Sequence, residues 1–164
     1  MFLFIFIFII LILIFRFFCN RHTAKQEKVL EEFWEKERQA NNTRKQSIEA
    51  LDYVHLSAEL IPGTLHTEEE GKLFALTTEK MIDLTEYTNT DLKLKFGVSN
   101  LEILSEYEQN YVSMIRLIPE YARQLHSAGL TTEAKKLLEF GMNLENNSGS
   151  IYSTFKELYQ SQDS

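Results

Sequence analysis

The sequence has little cysteine and little glycine, and each shortage narrows what the chain can be. Cys19 is the only cysteine among 164 residues. An intramolecular disulfide framework and a zinc site built from thiolates are therefore excluded. The six glycines are scattered along the chain, so the sequence contains no glycine-rich loop that could hold a phosphate group.

Patterns typical of metal sites and of catalysis are also missing. The four histidines are His22, His55, His66 and His126, and none lies four residues from another histidine or from Cys19. No nucleophile elbow and no Ser/Lys pair is present. The sequence therefore predicts no metal, no cofactor, no catalytic residues and no small-molecule substrate. An enzyme of unfamiliar type, using carboxylates with perturbed pKa values, stays open as a third alternative.

Positive charge is scarce and unevenly placed. The chain has 17 Lys and Arg against 24 Asp and Glu, a formal net charge of −7. Between Arg16 and Lys28 there are four cations and one anion, whereas residues 46–164 hold nine cations and nineteen anions. So acidic a domain repels phosphate backbones, and we therefore expect no nucleic-acid partner.

A long apolar run opens the sequence. Residues 2–15 are all Phe, Ile or Leu, and Arg16 is the only residue outside the apolar set among residues 1–19. Seventeen helical residues rise ~25 Å, close to the ~30 Å hydrocarbon core of a bilayer. The long side chain of Arg16 can reach the headgroups. The sequence therefore predicts a transmembrane anchor over residues 1–19, in contact with the lipid bilayer.

Three other interpretations of this run fit less well. A cleaved signal peptide needs a basic segment before the run and small residues at a cleavage site, and neither is present. A lipoprotein signal needs small residues before Cys19, where the chain has Arg-Phe-Phe. A buried core helix needs a polar face, which the run lacks. Because the cations follow the run, the positive-inside rule predicts a single-pass protein of the cell membrane, with its N-terminus outside and its C-terminal domain in the cytoplasm.

Residues 20–45 are predicted to be a basic stalk and a juxtamembrane helix. Val29, Leu30, Phe33 and Trp34 form one apolar stripe of this helix. We expect the stripe to pack on the domain that follows. The alternative, an interfacial helix lying along the membrane, is disfavoured by the five acids between Glu27 and Glu37.

Residues 46–164 are predicted to form a soluble, mainly helical domain. Capping signals at Thr67 and Ser105 each stand three residues before a glutamate, and Gly97 and Gly129 are typical of helix C-termini. Pro119 should kink its helix, because it deletes one backbone hydrogen bond. The predicted helices run from Thr67 to about Asp83, from about Asn89 to Gly97, from Ser105 to about Ser127, from Glu133 to about Leu144, and from Ser150 to about Gln160.

Residues 115–160 carry a recognisable spacing. Small and apolar residues recur as Tyr121-Ala122, Leu125, Ala128-Gly129, Glu133-Ala134, Leu138 and Gly141. This pattern resembles one tetratricopeptide repeat, in which small residues stand where two helices touch. A period of about 34 residues then maps Tyr121 onto Phe155 and Leu125 onto Tyr159, at the start of a second unit. The resemblance implies a helical, tetratricopeptide-repeat-like domain.

The same resemblance implies a binding site. The inner face of the first helix binds extended peptides in that family, and its position in the motif would place Arg116, Arg123 and His126 on this face. Arg116 and Arg123 lie two helical turns apart, a spacing suited to gripping a carboxylate or an acidic peptide. The alternative is that both are ordinary solvated arginines, paired with neighbours such as Glu120.

The whole chain also resembles a group of uncharacterised bacterial single-pass membrane proteins. In these a short anchor and a basic stalk precede a Phe-Trp-Glu-x-Glu-Arg-Gln-Ala-Asn segment, here residues 33–41. The resemblance implies the same architecture and adds no activity. We therefore expect a membrane-tethered protein–protein interaction module with an unidentified protein partner. The alternative is a structural or accessory subunit of a larger membrane complex, held through its anchor.

Overall fold

The chain is mainly helical, as the sequence predicts. A computed structural model describes residues 2–144 and 149–160, and it describes the side chains of these residues except 2, 3, 5 and 18–25. The described residues form no β-strand and contain one isolated antiparallel bridge, between Val54 and Met81. The α-helices are α1 (Phe2–Asn41), α2 (Glu68–Leu76), α3 (Asn89–Phe96), α4 (Leu101–Ser127), α5 (Thr131–Met142) and α6 (Gly149–Tyr159).

Helix α1 runs without a break through the predicted anchor, stalk and juxtamembrane helix. The described apolar side chains from Phe4 to Phe17 are all exposed, by 39 to 77%. None of the helices in the described part of the chain combines the length and the apolarity that crossing a membrane requires. The structure thus gives no support to the transmembrane helix predicted for residues 1–19.

The C-terminal end of α1 is fastened to α3 by charged pairs. Lys36 donates to Asp91 at 2.9 Å, and Lys93 donates to Glu37 at 3.0 Å. Hydrogen bonds from Thr88, and then from Lys36, hold the pKa of Asp91 at about 2. Ala40 is fully buried at this junction. The last turns of α1 therefore belong to the folded domain.

Gly97 lets the segment after α1 pass close to the end of α3. Its φ is +84°, and an added Cβ would lie 2.7 Å from the backbone oxygen of Arg44. The buried amide of Asn100 completes the junction by donating to the carbonyls of Gln46 and Phe96, each at 2.7 Å. The prediction that α3 stops at Gly97 is confirmed.

Two clusters of buried apolar side chains form the core. The larger cluster joins α2, α4, α5 and α6, and its fully buried members include Leu73, Ile118 and Leu138. The smaller cluster lies under α3 and the beginning of α4, around Phe96 and Leu104. Burial of these side chains, rather than helix propensity, supplies most of the stability of such short helices.

Helix α2 begins as predicted and ends earlier. The Thr67 hydroxyl accepts a hydrogen bond from the Glu70 amide at 3.3 Å, which confirms the predicted N-cap. The predicted extension to about Asp83 is wrong, because α2 ends at Leu76. The hydroxyls of Thr77 and Thr78 bond to carbonyls three residues back, a local arrangement that competes with continued helix.

Helix α4 runs through Pro119 and begins at Leu101, four residues before the predicted start. Gly129 ends it in a Schellman motif, in which the Leu130 amide bonds to the Leu125 carbonyl at 2.9 Å. The φ of Gly129 is +84°, as this turn requires. The prediction that Gly129 ends the helix is confirmed.

Small residues lie where α4, α5 and α6 meet. Ala134 is fully buried, and an added Cβ at Gly141 would lie 2.8 Å from Cδ1 of Ile151. Helix α6 packs against both α4 and α5. The predicted helices of residues 115–160 are therefore present in the expected order, although the tetratricopeptide-like fold itself stays a prediction.

Candidate functional site

A shallow groove runs along the solvent-facing side of α4, and we call it the α4 groove. One part, of about 340 Å³, lies between α4 and the beginning of α6. A neighbouring part, of about 410 Å³, lies nearer the N-terminus of α4, and the exposed Val112 lines both parts. The groove is lined by Ser105, Glu108, Gln109, Val112, Ser113, Ile115, Arg116, Pro119, Glu120, Arg123 and Ser150.

The α4 groove brings together two of the three predicted site residues. Arg116 and Arg123 both line it, two turns apart on α4. Arg116 is exposed, and within the described part of the chain it makes no ion pair. Its guanidinium is therefore available to a carboxylate that enters the groove.

Arg123 is already engaged by α6. Its Nη2 atom donates to Oγ1 of Thr154 at 2.8 Å and to Oε2 of Glu157 at 3.2 Å. The Thr154 side chain is buried, so Arg123 fastens the two helices as well as lining the groove. The structure thus shows Arg123 in an internal pair, with Glu157 rather than with the expected neighbour Glu120.

His126 lies beyond the groove. Its ring packs edge-on against the ring of Tyr159, with the centroids 5.6 Å apart. The Tyr159 hydroxyl in turn donates to the Thr131 carbonyl at 2.6 Å. His126 is thus placed at the contact between α4 and α6, and it is not among the residues that line the groove.

A second cavity, of about 460 Å³, lies where the two core clusters adjoin. Asp52, Asp83 and Glu86 line it, together with Tyr87 and Lys95, and Lys95 donates to the Tyr87 hydroxyl at 2.7 Å. Among the described residues, no group of three or more His, Cys, Asp or Glu side chains could hold a metal ion. The cavity wall thus combines acidic and aromatic side chains.

Glu70 is a buried carboxylate whose main role sequence reasoning missed. The capping signal at Thr67, which stands three residues before Glu70, predicts that the Glu70 carboxylate bonds back to the Thr67 amide. Instead it accepts hydrogen bonds from the amides of Thr64, Leu65 and His66, and from the Tyr121 hydroxyl. Burial raises the pKa of Glu70, but these hydrogen bonds together outweigh it, so its pKa lies below the usual 4.5. Glu70 is therefore a structural anion that joins α2 to α4.

The apolar stripe of α1 faces solvent and does not pack on the domain. Val29, Leu30, Phe33 and Trp34 were expected to pack on the domain, and each is at least half exposed. The prediction of packing on the domain is therefore wrong. The face that contacts α3 begins only at Lys36 and Glu37, about one turn after Phe33.

Comparisons with known proteins do not add to this description. No protein-family model, no curated protein and no solved structure matches the chain.

Proposed function

We propose that this chain is a non-catalytic protein–protein interaction module that is attached to a membrane by the apolar half of α1. The observation that carries the proposal is the α4 groove, which places the exposed Val112 beside the exposed Arg116. An apolar contact next to a guanidinium suits a peptide that has an apolar side chain near a carboxylate.

The membrane attachment is supported by the surface that the first half of α1 exposes. Large apolar side chains on all sides of this helix, from Phe4 to Phe15, are exposed. A soluble monomer rarely exposes so large an apolar surface, because water must order around it. Lipid chains cover such a surface without any specific partner.

The proposed orientation comes from charge. Arg16, Arg21, Lys25 and Lys28 follow the apolar run, and positive residues are retained on the cytoplasmic side of membranes. We therefore propose that the C-terminal domain lies in the cytoplasm. A reporter that is active only in the cytoplasm, fused after Ser164, should be active. A reporter active only outside the cell would reverse the proposed orientation.

The proposed groove is also supported by the order of its helices. Helix α4 is followed by a tight glycine turn, by α5, and by α6, which packs on both. This is the arrangement expected of a tetratricopeptide-like unit followed by the start of another. By that analogy the α4 groove receives an extended acidic peptide. Arg116 is the residue that we propose to bind its carboxylate.

Photo-crosslinking tests the groove in the full chain. A photoreactive amino acid at Val112 should crosslink to one partner, and the same group at Phe74, which is similarly exposed on α2, should not. Arg116→Glu should lower the yield at least tenfold, because it replaces an attraction by a repulsion. Lys136→Glu makes the same change of charge on the exposed side of α5 and should leave the yield unchanged. Equal losses in both variants would refute the groove.

A further inference from the structure

The exposed apolar stripe of α1 is a compact surface, which we call the Trp34 patch. It consists of Val29, Leu30, Phe33 and Trp34, whose exposed fractions are 60, 54, 50 and 54%. The four residues recur at one-, three- and four-residue steps, so they share one side of the helix. The rings of Phe33 and Trp34 pack edge to face, 5.3 Å apart, and present a joint aromatic surface to solvent.

The Trp34 patch lies away from the lipid when α1 stands upright in a membrane. Helix α1 is continuous, so each residue adds 1.5 Å of rise. The patch therefore begins ~18 Å beyond Phe17 and reaches ~25 Å beyond it at Trp34. The headgroup layer on one side of a bilayer is only ~5–8 Å thick. This height rests on the proposed membrane attachment, whereas the chemistry of the patch does not.

Acidic residues border the patch on one flank. Glu27 and Glu31 stand three residues before Leu30 and Trp34 respectively, on the adjoining row of the helix. Among the described residues neither is paired with a cation. Glu32 and Glu35, on the other side of α1, lie next to Lys28 and Arg38 respectively. Arg38, four residues after Trp34 on the same row, is neutralised by Glu35, so the unpaired charge of this flank is the negative charge of Glu27 and Glu31.

This charge discriminates between possible occupants. A second copy of the chain, side by side in the same membrane, would bring Glu27 and Glu31 towards their own equivalents, which is a repulsion. An anionic lipid surface would be repelled by the same residues. A partner with apolar and basic residues satisfies both the patch and its flank.

We propose that the Trp34 patch binds a basic amphipathic helix that adjoins the membrane segment of another membrane protein. Segments next to the cytoplasmic side of a membrane carry an excess of Lys and Arg, and they lie within reach of the patch. Four side chains make a small interface, well below the ~1,600 Å² of a typical stable complex. Confinement of both proteins to one membrane raises their effective concentration, so a small interface is sufficient.

The fluorescence of Trp34 tests this proposal, since it is the only tryptophan in the chain. The full chain is placed in nanodiscs of neutral phosphatidylcholine, and a helical peptide of Leu and Lys is added. The expected result is a saturable blue shift of the emission that weakens as salt is added. A matched peptide with Glu in place of every Lys should give no shift. No shift with the basic peptide, or equal shifts with both, would overturn the proposal.

Paired variants locate the interaction on the flank of the patch. Glu27→Gln together with Glu31→Gln should weaken peptide binding about fivefold, because two nearby attractions are lost. Glu32→Gln together with Glu35→Gln makes the same change of charge on the opposite side and should change the affinity less than twofold. Equal effects of the two double variants would show diffuse attraction to the acidic chain and would overturn the docking site.

The same nanodisc experiment distinguishes other occupants of the patch from a failure of the membrane attachment. A blue shift without peptide that grows with the number of copies per nanodisc would assign the patch to a second copy. A blue shift on changing to anionic lipid would assign it to the membrane. A chain that does not co-purify with nanodiscs would contradict the attachment alone. The peptide titration would then be made in neutral detergent micelles, with the same criteria.

Discussion

The hydroxyl of Tyr121 donates a hydrogen bond to the Oε1 atom of Glu70, in a position where both side chains are buried. This bond joins the middle of α4 to the first turn of α2. Tyr121→Phe removes the donor and leaves the shape of the ring unchanged. We expect the free energy of unfolding to fall by about 1–3 kcal/mol, since the hydrogen bond is made to a charged group. Urea unfolding followed by circular dichroism measures this. An unchanged unfolding midpoint would contradict the structural role of Glu70.

Glu70 should also make the stability depend on pH. Its pKa in the folded chain lies below the usual 4.5, so its ionised form is favoured by folding. The contribution is fully present above about pH 4.5 and is lost as the pH falls through the folded pKa. Glu70→Gln should therefore flatten the loss of stability below that pH. The exposed Glu59→Gln serves as the control and should retain the slope of the unaltered chain. Equal slopes in both variants would refute the prediction.

The junction between α1 and the domain depends on Gly97. Gly97→Ala would force a Cβ against the backbone of Arg44 at a positive φ, so we expect a loss of about 2–4 kcal/mol. Gly71→Ala is the matched control, because it lies in α2 with open space around it. It should leave the stability unchanged or raise it by up to about 1 kcal/mol. Urea unfolding of both variants compares them, and equal stabilities would contradict the close approach.

The contact between α5 and α6 is tested at Gly141. Gly141→Ala would place a methyl group 2.8 Å from Cδ1 of Ile151, and we expect a cost of about 1–3 kcal/mol. Ile151→Val removes that Cδ1 atom and leaves a small cavity, at a cost of about 1 kcal/mol. The double variant should be more stable than the sum of the two losses predicts, because the second change relieves the first. Strict additivity in unfolding measurements would show that the two residues do not touch.

The sequence best predicts those helix starts and ends that are determined by the residues next to them. The cap at Thr67 and the glycine ends at Gly97 and Gly129 depend on a few neighbouring residues, and all three are confirmed. The placement of Arg116 and Arg123 on one face of α4 follows directly from their spacing of seven residues. These features need no knowledge of the tertiary structure.

Features that depend on tertiary contacts could not be predicted. Tyr121 lies on an apolar row of α4, which indicates that its buried hydroxyl needs an acceptor, but only packing shows that Glu70 supplies it. The end of α2 at Leu76 is similarly fixed by the threonines that follow and by the bridge from Val54 to Met81. The exposure of Phe33 and Trp34 reflects where α3 meets α1, which periodicity does not specify.

Flotation with neutral liposomes tests whether the apolar half of α1 attaches the domain to a membrane. The full chain and a chain lacking residues 1–19 are each mixed with liposomes, washed with alkaline carbonate and centrifuged through a density gradient. We expect the full chain to float with the lipid after the wash and the shortened chain to stay in the dense fraction. A full chain that stays in the dense fraction, or a shortened chain that floats equally well, would contradict attachment through the apolar half of α1.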